Sequence, residues 1–154
     1  QIAEKLDYYG AWLELASSPN CGFITLYSLN KYFPKTLAII ADMLMNPLFP
    51  EKELEVVVES NRQQFLVKST RVEVIARKHF NRALFGEQHP FGRYAEEADY
   101  GRLTAEVLRE FYRKYYHSGN CTLYVSGKVT PEIERCIEEN LGDASWGETR
   151  EGSP

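Results

Sequence analysis

The chain has 154 residues, 44% of them hydrophobic and 13% aromatic, and a net charge of −4. That apolar content suits one packed domain and excludes a disordered segment. The acidic balance lacks the basic face that nucleic acid requires, and no apolar run approaches the roughly 18 residues of a membrane span. Nothing in the opening residues reads as a signal peptide and there is no initiating Met, so the sequence reads as an excerpt of something longer.

Ile2, Leu6 and Tyr9 share one helix face, and Gly10 ends that helix. Trp12 to Ala16 and Phe23 to Leu29 are rich in strand-preferring residues around the turn sequence SSPNCG, which predicts an antiparallel hairpin. Asn30 can cap the next helix, Pro34 fits its first turn, and Phe33, Leu37, Ile40 and Leu44 form its stripe. Met43 and Met45 read as core filler, and Asn46-Pro47 stops the helix.

The segment from Phe49 to Arg93 reads as two helices broken near Ser69–Thr70, followed by a loop. Pro50 suits a helix start, and Glu51, Glu53 and Glu55 favour its positive end. Val72, Ile75, Ala76, His79, Phe80 and Ala83 recur at helical spacing, which predicts a buried stripe with His79 at the core edge. Gly86 ends that helix, and the loop GEQHPFGR lies at the surface with His89-Pro90 as a turn.

Glu96, Glu97 and Asp99 read as a solvated acidic face. Thr104 caps a helix with Val107, Leu108, Phe111 and Tyr115 inward; His117 follows its end, where a cation suits the dipole. Asn120 to Val129 predicts a third strand. Thr130-Pro131 opens a last helix with Ile133, Cys136, Ile137 and Leu141 inward, and Gly142 ends it. Residues 143–154 read as a polar linker or tail. This order predicts an α+β fold, an antiparallel or mixed sheet covered by helices.

Cys21, Cys121 and Cys136 form no C-x-x-C pair, so three reduced and mostly buried thiols are expected. They lean toward a cytoplasmic setting and leave a periplasmic one open.

FPEKEL leading into a long helix, then LFGEQHPFGR, LREFYRKYY and a strand ending in Gly resembles the insulinase/pitrilysin metallopeptidases, the inverzincins, which include the mitochondrial-processing-peptidase-like proteins. The resemblance spans residues 3 to 142 and implies a peptidase half-domain over 1–142 whose N-terminal part is missing. Active members bind zinc through H-x-x-E-H, with two histidines on one helix face and a glutamate as general base. His79, His89 and His117 supply no such pair.

The family's third zinc ligand is a Glu on the helix beginning near Phe49. Counting from Phe49, that position falls on Gln64, and an accompanying acidic position falls on Val57. Asn61 shares their face. An amide is a neutral, weaker donor than carboxylate, so the resemblance implies no catalytic residues and no metal ligands here. Cofactors are therefore expected to be none in this chain, with zinc held only by a catalytic partner half. Asn61, Gln64, His89 and Arg93 remain as candidate contacts to peptide or to a neighbouring domain.

The implied role is a non-catalytic half that completes a substrate chamber and binds peptide. Its partners would be a peptide or protein substrate and a homologous catalytic half, in the same chain or a separate subunit, with no nucleic acid and no membrane span. A structural or assembly subunit without peptidase role is one alternative. An active half whose H-x-x-E-H lies upstream of residue 1 is another.

Overall fold

Phe33–Met45 forms the helix on which the first compact unit is built. We describe residues 2–142 of a computed structural model. In chain order the elements are α1 (Ile2–Tyr8), β1 (Trp12–Ser17), β2 (Gly22–Tyr27), α2 (Phe33–Met45), α3 (Glu51–Ser69), α4 (Val72–Phe85), α5 (Glu97–Tyr100), α6 (Ala105–Tyr115), a 3₁₀ turn (Ser118–Asn120) and α7 (Pro131–Leu141). The fold is α+β, with one two-stranded antiparallel sheet among the described residues. The described residues divide into two compact units, one of residues 2–16, 22–48 and 110–142, the other of residues 17–21 and 49–109.

In the first unit, Leu6 of α1, Ala11 and Ile40 of α2 are buried together, and Leu13, Leu26, Ile39, Met43 and Leu44 pack against them. The i, i+4 spacing of α2 produces this directly, because Leu37, Ile40 and Ala41 fall on one side. Thr36 is fully buried, and its hydroxyl lies 2.9 Å from Ser28 Oγ and 3.1 Å from the Phe33 carbonyl oxygen. α2 also packs on α7, which buries Ile133 and Cys136. Gly10 takes φ +62, the left-handed region expected of a glycine ending α1.

Three local expectations are corrected in this unit. Asn30 does not cap α2, whose N-cap is Tyr32; its side-chain amide instead donates to the Lys128 carbonyl at 2.7 Å. Residues 121–129 are not a strand. Cys121 is extended (φ −122, ψ 139), but a strand is defined by a hydrogen-bonded neighbour, and none pairs with this segment among the described residues. Cys21 and Cys121 are exposed, and only Cys136 is buried. Burial pushes the Cys136 thiol above its usual range, and Glu139 adds to that shift.

In the second unit α3 packs with α4 and α5. The predicted stripe of α4 is not buried: Val72 is 81% exposed and Phe80 64%, and His79 is exposed with them. The half-buried positions of α4 are Lys78, Asn81 and Arg82. Asn81 Nδ2 donates to the Tyr94 hydroxyl at 2.6 Å, and Lys78 Nζ lies 6.0 Å from that ring's centre. The polar side of the helix thus turns toward its own loop.

α6 is likewise rotated from the expected facing. Ala105 is buried and Leu108, Arg109 and Tyr112 are half-buried, whereas Phe111 and Tyr115 are exposed. Thr104 does cap it, accepting the Val107 N–H at 3.2 Å. Residues 143–154, expected as a tail, lie outside the described residues.

Candidate functional site

α3 runs from Glu51 to Ser69 without interruption, and the face singled out by the resemblance lies in its middle. At about 100° per residue, Val57, Asn61 and Gln64 point within roughly 60° of one another. All three are exposed in this chain. The covered side is centred about 105° away, where Leu54, Val58, Arg62, Phe65, Leu66 and Ser69 are half-buried. Phe65 stacks in a tilted geometry on Tyr100, with ring centres 5.5 Å apart. The helix is therefore held by one side and leaves the Val-Asn-Gln face open.

The polar run from Glu59 to Gln64 is organised rather than loosely solvated. Arg62 donates to Glu59 through Nε and Nη2, each at 3.0 Å, and Gln63 Nε2 donates to Glu59 at 2.7 Å. These bonds pull the Glu59 carboxyl down from an ordinary 4.5 to about 2, with Arg62 the larger cause and Gln63 the next. Arg62 Nη1 also donates to Glu97 at 2.7 Å.

The expected acidic face at 96–99 is in fact engaged. Glu96 and Asp99 form a reciprocal capping box on α5, and Glu97 takes the Arg62 bond. Glu59, Arg62 and Gln63 could be found from their i, i+3 and i, i+4 spacing. The Arg62–Glu97 bond, between residues far apart in the chain, had no sequence signal.

His89 forms a three-ring cluster with Phe85 and Phe91, whose own ring centres lie 5.6 Å apart. Its ring lies 5.2 Å from Phe85 at 18° and 5.7 Å from Phe91 at 22°. His89 Nδ1 accepts the Phe91 N–H at 3.2 Å, and the His89 carbonyl accepts the Gly92 and Arg93 N–H groups, each at 2.9 Å. The loop's neck is narrow: a Cβ on Gly92 would fall 2.0 Å from the Gly86 carbonyl oxygen. His89 and Arg93 are exposed on this braced loop. No hydrogen bond, ion pair or ring contact joins them to Val57, Asn61 or Gln64 among the described residues.

The α3 face offers an aliphatic side chain and two neutral amides. It can make hydrogen bonds but holds no carboxylate to neutralise a dication. Among the described residues no three His, Cys, Asp or Glu side chains cluster in a way that could hold a metal ion. No helix there is long and apolar enough to cross a membrane.

Residues 102–154 match a family model described as the Peptidase M16 inactive domain. The chain is also 25% identical over 145 residues to the mitochondrial-processing peptidase subunit alpha of Solanum tuberosum. That alignment covers 93% of this chain and 28% of the relative, so the chain spans little more than a quarter of that protein's length. Both likenesses support the resemblance to the insulinase/pitrilysin metallopeptidases, and the model matched is that of their inactive domain.

Proposed function

We propose that this chain is part of a non-catalytic half-domain that completes a peptide-holding chamber beside a zinc-bearing catalytic half. Residues 1–142 form the half-domain and 143–154 its tail. The catalytic half lies in the same polypeptide or in a separate subunit. The observation that carries this reading is the exposed Val57–Asn61–Gln64 face of α3. Where the active relatives need carboxylates, this helix presents groups that bind zinc poorly but satisfy peptide N–H and C=O groups well. Asn61 and Gln64 then contact extended peptide, with His89 and Arg93 as a second contact on a braced loop.

Two measurements test it. Zinc loading followed by desalting and elemental analysis should leave the purified chain without stoichiometric zinc. A photo-crosslinking residue in place of Asn61 or His89 should capture an added unstructured peptide. One tightly held zinc per chain, or no capture at either position, would end the reading.

A further inference from the structure

A shallow groove of about 550 Å³ lies in the first unit, lined by Glu4, Lys5, Tyr8, Tyr9, Lys35 and Ile39. Its floor is aromatic. Tyr9 meets Tyr8 edge-on at 5.1 Å and Tyr32 at 5.5 Å. Lys35 Nζ lies 5.5 Å from the centre of Tyr9 within the groove, and beside it, outside the lining, Lys31 Nζ lies 5.2 Å from the centre of Tyr32. Lys5 adds a third at the rim.

None of these three lysines forms a salt bridge among the described residues. Glu4 is the one carboxylate in the lining. Asp7 lies two residues beyond Lys5 on α1, about 160° around the helix from it. In a chain of net charge −4, the groove is a local excess of positive charge over an apolar floor.

We propose that this groove docks an acidic peptide segment carrying an apolar or aromatic anchor. The anchor covers Tyr9 and Ile39, and flanking carboxylates meet Lys31, Lys35 and Lys5. Charge complementarity selects the partner: a basic segment would face three cations, and a purely apolar one would leave them without counter-charge. Cation–π contact already holds the two ammonium groups near their bound positions, which lowers the ordering cost of binding. The groove belongs to the first unit, and the proposal does not depend on the chamber reading.

The test uses the full chain and two fluorescein-labelled peptides, one of alternating Glu and Phe/Leu, the other with Lys replacing every Glu. Anisotropy should show saturable binding of the acidic peptide alone, weakening as salt rises. The double variant K31E/K35E should bind it about tenfold more weakly, since exposed charge pairs are individually small but two are reversed. K31Q/K35Q should fall between, and a far-UV spectrum like the wild type's separates lost charge from lost fold. Equal binding of the two peptides, no saturable binding up to ~1 mM, or unchanged binding by K31E/K35E would each overturn the proposal.

Discussion

Arg62 on α3 donates through Nη1 to Glu97 on α5 at 2.7 Å, while its Nε and Nη2 hold Glu59 one turn back on its own helix. One guanidinium thereby fixes a four-residue helix to a nineteen-residue one. The fork geometry of Arg makes this possible, and Lys would satisfy only part of it. The Arg62 side chain is 32% exposed and that of Glu97 53%, so screening limits the energy. Arg62→Ala should lower stability only slightly, and a double-mutant cycle with Glu97→Gln should give a small favourable coupling. Urea unfolding of the four proteins measures it.

Glu59 gives a pH dependence with a definite sign. Its folded carboxyl is held down to about 2 by Arg62 and then Gln63. A depressed acid contributes stability above its unfolded pKa and loses it as pH falls through the folded value. The loss belongs between about pH 4.5 and about pH 2. Carboxyl-resolved NMR should show Glu59 titrating at the low end of that window, and Arg62→Ala should return it toward 4.5.

Tyr112 donates its hydroxyl to the Leu44 carbonyl at the end of α2. Burial pushes its pKa above the ordinary 10.0. Tyr112→Phe keeps the ring but leaves a helix-terminal carbonyl without this donor, at a cost of about 1–2 kcal/mol. The wild type should lose stability as pH rises past about 10, where the unfolded phenol ionises first, and the Phe variant should lack that limb. Thermal melts across alkaline pH distinguish the two.

Gly92 is buried at the neck of the 86–93 loop, and a methyl there meets backbone rather than a movable side chain. Gly92→Ala should open the loop and cost about 2 kcal/mol or more. Amide exchange at Phe91, Gly92 and Arg93 should quicken first, because their N–H groups are the ones bonded to His89.

Gln64 is exposed, so Gln64→Glu should change stability by no more than about 0.5 kcal/mol. It should create no zinc-dependent peptidase activity, because one carboxylate replaces neither the two histidines nor the general base. A pH-dependent fall in melting temperature, or zinc-stimulated peptide cleavage, would contradict the placement of Gln64 on the open face.

Local signals carried much of the fold. Pro34 and Pro131 in first turns, Gly10 and Gly86 at helix ends, the SSPNCG turn and the i, i+4 stripe of α2 all act within a few residues, and each appears where the sequence puts it. The same holds for the neutral identity of residues 57, 61 and 64, which depends on composition and helix periodicity alone. Tertiary structure decided what lies across from each element. The apolar stripe of α4 is exposed although its period is helical, because period identifies a face but not its neighbour. Residues 121–129 have strand composition yet form no strand, because a strand needs a bonded partner that composition cannot supply. The same limit hid the Arg62–Glu97 bond and the lysine-lined groove between α1 and α2. Both bring together side chains distant in sequence, and only the packing of their helices sets that distance.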